Sequence, residues 1–141
     1  MKRRVWLLLL IPLLAACAGS KNPITAPHPG TTDVFANSTY DLIVSAKGYL
    51  DSEKSQHPEC STTSSDVCGR ISQAVGAKDV IIDALSSYCA GPVFDATGGQ
   101  GACNPPAAGT PALTQAKAKV QSAINGYNQI AADLKKATGG D

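Results

Sequence analysis

Three stretches of this 141-residue chain repeat their apolar residues at helical spacing, and each is closed off by proline or glycine. In the first, Phe35, Leu42, Ile43, Ala46, Tyr49 and Leu50 recur at helical spacing. Thr32 or Asp33 can cap its start, and Pro58 forces an end by about His57. The second carries Cys68, Ile71, Val75, Ile82, Leu85 and Cys89, with Ala74 and Ile81 beside them, and stops at Gly91-Pro92. Ser61 to Ser65 offers several caps before it, Asp66 suits its N-terminus, and Lys78 interrupts its stripe. The third opens on Thr110-Pro111, a capping hydroxyl followed by proline in the first turn. It runs through Leu113, Ala116, Val120, Ile124, Tyr127, Ala131 and Leu134, a heptad seam from Val120 onward, to Lys135, Lys136 and Gly139-Gly140.

An isolated helix with one apolar stripe must cover it against something. The pattern therefore predicts an all-α fold, an up-down-up three-helix bundle within residues 33–138. Its helices should span about 33–56, 65–89 and 111–137, with a short tail at 139–141. The competing arrangement is a helical hairpin whose third helix pairs between copies. Gly48, Gly76 and Gly126 each interrupt a helix away from its stripe, at about 1 kcal/mol relative to Ala. They fit either a tolerant surface or the close approach of a partner backbone.

The first seventeen residues are of another kind. Lys2, Arg3 and Arg4 precede Val5 to Ala16, a run without charge. About a dozen apolar residues fall short of the ~20 that a spanning helix needs and suit the core of a secretory signal. Leu14-Ala15-Ala16-Cys17 resembles the lipobox of bacterial lipoproteins at all four positions. That resemblance implies a signal peptide at 1–16, cleavage between Ala16 and Cys17, and diacylglycerol on the Cys17 thiol. More than one acyl chain makes a stable anchor. Ala18 is not the Asp that resembles an inner-membrane retention signal, which favours the periplasmic leaflet of the outer membrane. Residues 17–32, with Pro23, Pro27, Pro29 and Gly30, read as the lipidated cysteine and a tether reaching at most roughly 50 Å at ~3.3 Å per residue.

With Cys17 assigned to lipid, Cys60, Cys68, Cys89 and Cys103 remain, an even number in an exported chain. Three pairings are possible. Cys60–Cys68 and Cys89–Cys103 are favoured, because each closes a connection at a helix end. The second would also tie down Gly91 to Thr110, long for a structureless connection. Phe94 within it is expected to tuck beneath the loop rather than stand out as an anchor. His57, Glu59, Cys60 and Cys68 could in principle hold a metal. Their spacing resembles no zinc ribbon or knuckle, and an oxidising compartment favours bridges, so no metal site and no cofactor is expected.

Three of the twelve Lys and Arg sit at positions 2–4, which leaves nine against eleven Asp and Glu, a side-chain sum of −2. No basic stripe suits nucleic acid. No nucleophile elbow, metal-binding helix or phosphate loop is present, and Gly98-Gly99-Gln100-Gly101 lacks the lysine of a Walker motif. Asp79 and Asp83 share a helix face without an implied cleft, and Arg70 should pair weakly with Asp66. An enzyme is not expected. The sequence points to a membrane-anchored helical module in the cell envelope that binds an envelope protein or organises the envelope. A small-ligand carrier and a phage-derived lysis or exclusion lipoprotein are the alternatives.

Overall fold

The computed structural model describes residues 33–139. The signal peptide, Ala16, the lipidation site Cys17, the tether and the last two residues of the tail lie outside them. The described residues form three long helices and a single 3-10 turn: α1 (Val34–Gln56), the turn at Pro58–Ser61, α2 (Asp66–Cys89) and α3 (Pro111–Ala137). All three α-helices start on a side-chain cap. Asp33 accepts from the Ala36 amide at 2.7 Å, Ser65 from Cys68 at 3.2 Å and Thr110 from Leu113 at 3.2 Å.

The helices run up, down and up, with α2 in the middle, packed more extensively on α3 than on α1. Two contacts and one longer-range charge pairing fix their directions. The Tyr88 hydroxyl in the last turn of α2 donates to Asp33 Oδ2 at the start of α1, at 3.0 Å. Arg70 near the start of α2 lies in the field of Asp133 near the end of α3. Lys117, early in α3, stands 5.4 Å over the Phe35 ring at the start of α1.

The core joins Ala36, Tyr40, Ile43, Ala46 and Leu50 of α1 to Ile71, Ala74, Ile81, Leu85 and Tyr88 of α2, and to Val120, Ile124, Tyr127 and Leu134 of α3. On α2 the buried line is turned from the one the sequence suggests. Ala74, Ile81 and Tyr88 are enclosed, whereas Val75 and Ile82 are only half-buried. A middle helix must cover two neighbours, so its buried arc is wider than one stripe and is centred between them. Lys78 lies along this arc, its stem covered and its ammonium turned to Asp79 at 2.5 Å. On α1 the buried line takes in two polar residues. Thr39 is satisfied by the Phe35 carbonyl at 2.8 Å, while the Glu53 Oε2 atom is buried without a hydrogen-bond partner.

Two disulfides staple the bundle, Cys60–Cys68 across the α1–α2 turn and Cys89–Cys103 at the end of α2. The second draws the connection to α3 back onto the helix, so Asn104 N–H donates to the Cys89 carbonyl at 2.9 Å. Within that loop Gly101 N–H donates to the Val93 carbonyl at 2.8 Å, and Phe94 forms a one-pair antiparallel bridge with Gln100. A Cβ on Gly101 would fall 2.0 Å from the Pro92 carbonyl oxygen, so only glycine fits. Phe94 lies half-buried against Tyr40, ring centroids 5.5 Å apart, and the Tyr40 hydroxyl donates to the Gly98 carbonyl at 3.3 Å. The loop is thus a lid over the first turns of α1.

Candidate interaction surface

Because α1 lies against one side of the α2–α3 pair, the other side is left open. An uncovered groove of about 760 Å³ runs between the two helices there. One wall is α2 with Ala77, Val80, Asp83 and Ala84; the other is α3 with Lys119, Ala123, Gly126 and Ile130. On α2 Ala77, Asp83 and Ala84 each lie three or four residues from Val80, and on α3 the residues follow one another at steps of four, three and four. Each set is a second stripe, one face round from the buried line. Apart from Asp83 and Lys119 its members are small or apolar, and Val80 is 55 % exposed in mid-helix.

Asp83 and Lys119 stand on opposite walls of this groove. Lys117 lies over Phe35, which packs against Tyr88, so Lys117 and Tyr88 share a level near one end of the pair. Asp83 is five residues back from Tyr88 and Lys119 two on from Lys117. At ~1.5 Å per residue the two charges therefore lie within about one helical turn of each other in height. Tyr127 closes the floor, its phenol pushed above its ordinary pKa by burial. The groove offers apolar contact along its length and one charge of each sign on its rim.

The other residues singled out by sequence do not converge on a site. Asp79 and Asp83 are both exposed on α2, and Asp79 is engaged by Lys78. Arg70 Nε donates to Asp66 Oδ2 at 3.0 Å, an exposed pair one turn apart that contributes little. At the α1–α2 turn, His57 Nδ1 lies 3.0 Å from Glu59 Oε1. That carboxylate sits below its usual range, first through the backbone amide donating to it and then through His57. Glu59, Cys60 and Cys68 bring ligand atoms within 4.8 Å of one another. The two sulfurs are bonded to each other, however, and a disulfide presents no thiolate to a metal. A smaller pocket of about 470 Å³ beside this bridge is lined by Lys54, His57, Ile71 and Val75.

Tyr88 and Tyr49 carry the other perturbed phenols. Burial, then the hydrogen bond to Asp33, pushes Tyr88 up to about 12. Burial and the nearby Glu53 carboxylate raise Tyr49. Both are packing residues between helices, far from an exposed reacting centre. Of the helical glycines, Gly126 lines the groove, and added Cβ atoms at Gly48, Gly76 and Gly126 would meet nothing within 4 Å. Sequence reasoning passed over the groove, although its signal was present in the offset stripe of Ala77, Val80 and Ala84. Among the described residues no helix is long and apolar enough to cross a membrane. The chain matches no protein-family model, no curated protein and no solved structure.

Proposed function

We propose that this chain is a membrane-anchored lipoprotein of the cell envelope, held to the periplasmic leaflet of the outer membrane by lipid on Cys17. Its stapled helical domain serves as a protein-interaction or envelope-organising module and not as an enzyme. The observation that carries the module reading is the open α2–α3 groove: helix-sized, apolar along its floor and charged only at its rim. Such a trough suits a protein surface, since its small side chains let another backbone approach closely. The anchor rests on the Leu14-Ala15-Ala16-Cys17 motif.

Two measurements test this. In a two-membraned bacterium, the protein should incorporate labelled palmitate and sediment with outer membranes, and Cys17→Ser should abolish both. Chemical cross-linking of intact envelopes should give discrete protein adducts that Gly126→Trp removes by filling the groove. A soluble protein with unmodified Cys17 would refute the anchor. Adducts indifferent to the Trp, or none, would refute the groove as the working surface.

A further inference from the structure

We propose that the α2–α3 groove is closed by the same groove of a second copy, giving a twofold dimer whose axis runs parallel to the helices. This deepens the reading above and rests on it for the anchor. Three observations lead to one geometry.

The first is shape. Lys119, Ser122, Ala123 and Gly126 occupy positions i, i+3, i+4 and i+7 of α3 and line the groove together. Four residues so spaced form the hole that receives one knob from a facing helix. Val80 is such a knob, 55 % exposed on the wall opposite. Val80, eight residues back from Tyr88, stands level with the Ala123–Gly126 half of this hole. Within one chain it lies across the trough from this hole and leaves it open. A second copy with its α2 laid over α3 fills each hole with the partner's Val80.

The second is charge. Rotation about an axis parallel to the helices leaves heights unchanged and exchanges the walls, so α2 of each copy faces α3 of the other. Because Asp83 and Lys119 lie within about one turn of each other in height, a span the long lysine side chain can cover, Asp83 then comes within reach of the partner's Lys119, and Lys119 of the partner's Asp83. The surface is self-complementary, as a twofold contact requires. The four helices also become antiparallel to every neighbour around a square, the arrangement of an ordinary four-helix bundle.

The third is direction. This axis places both copies' Asp33 at the same end, where two chains anchored in one lipid sheet must both begin. A twofold axis across the helices would instead oppose α2 to α2 and send the two N-termini to opposite ends.

The test uses the full lipidated chain in its membrane, with the photoreactive residue p-benzoylphenylalanine placed singly at Gln73 or Ser87, the exposed ends of the groove, and at exposed Val44 on α1 as control. Irradiation should give a species of twice the monomer mass from positions 73 and 87 and not from 44. Mass spectrometry should map the position 73 adduct to the C-terminal half of the partner's α3 and the position 87 adduct to its N-terminal half. Val80→Glu, on an exposed site of a good helix, should abolish the adducts with the helical spectrum intact. Asp83→Lys should lower their yield by about tenfold, the order expected when two exposed pairs turn from attraction to repulsion, and Asp83→Lys with Lys119→Asp should restore it. Adducts joining α2 to α2, adducts to a different protein, or monomer alone would each overturn the dimer. A hetero-adduct would still uphold the interaction module, and palmitate labelling reports separately on the anchor.

Discussion

Replacing both Cys89 and Cys103 by alanine should cost this domain about 3 kcal/mol, the closure entropy of a loop with a separation of 14 residues. The Cys60–Cys68 bridge, with a separation of 8, is close behind on that reckoning, at roughly 2.5 kcal/mol. The two differ in what the native state leans on them for. Cys89 is 5 % exposed within the core, and the bridge carries the Asn104-to-Cys89 hydrogen bond and the lid that covers Tyr40 with Phe94. Cys60 packs only at the edge, over an exposed turn. Removing Cys89–Cys103 should therefore loosen the loop in the native state as well as relax the unfolded chain. Urea denaturation followed by circular dichroism gives the first quantity. The expected fall in melting temperature is on the order of 15 °C, since a domain of this size loses several degrees per kcal/mol. Amide hydrogen exchange gives the second. Gly101 and Asn104 should lose protection in C89A/C103A and keep it in C60A/C68A, while Ile81 and Val120 stay protected in both. Equal protection of Gly101 and Asn104 in the two variants, or an unchanged urea midpoint, would refute the view that this bridge orders the lid.

Ala90 holds a left-handed conformation at φ 52 as the C-cap of α2, a position that suits glycine, so Ala90→Gly should raise stability by roughly 0.5–1 kcal/mol in the same urea titration. Tyr88 should titrate near 12 in an absorbance titration at 295 nm. Its folded pKa lies above the unfolded value of 10, so its contribution is complete below pH 10 and fades as pH rises through 12, a loss of about 2–3 kcal/mol that Tyr88→Phe removes. Gly48→Ala with Gly76→Ala should stabilise the fold by about 2 kcal/mol by thermal melting, because both new methyl groups enter open space within helices.

Periodicity and punctuation carried the three helices, because those signals are local: Thr110-Pro111 opens α3 and Pro58 closes α1 within a few residues of the effect. What depends on neighbours was less legible. Asp33 caps α1, and its second oxygen takes the Tyr88 hydroxyl, a contact 55 residues away. The turn of the α2 stripe toward Ala74, Ile81 and Tyr88 follows from its having a helix on each side, which no single-helix pattern encodes. Ala90 takes the left-handed position although Gly91 is next to it, since α2 ends at Cys89, the residue that the bridge to Cys103 fixes. The groove escaped because its stripe mixes Val80 and Ile130 with alanine, glycine and two charged residues, which dilutes its hydropathy. Alanine and glycine mark a surface only once a structure shows that nothing covers them.

The clasp at Asp33 has a mechanical consequence. Any pull reaching the domain from its N-terminal side enters at that residue, where one carboxylate holds the first turn of α1 and the last turn of α2 together. Phe35 packs edge-on against Tyr88 beside it, ring centroids 5.1 Å apart, under Lys117 of α3, and the Cys89–Cys103 staple follows one residue beyond Tyr88. Tension along the helix axes is thereby shared among three strands of the rod as shear rather than peeling α1 away turn by turn. The domain is reinforced at the end where a leash would tug.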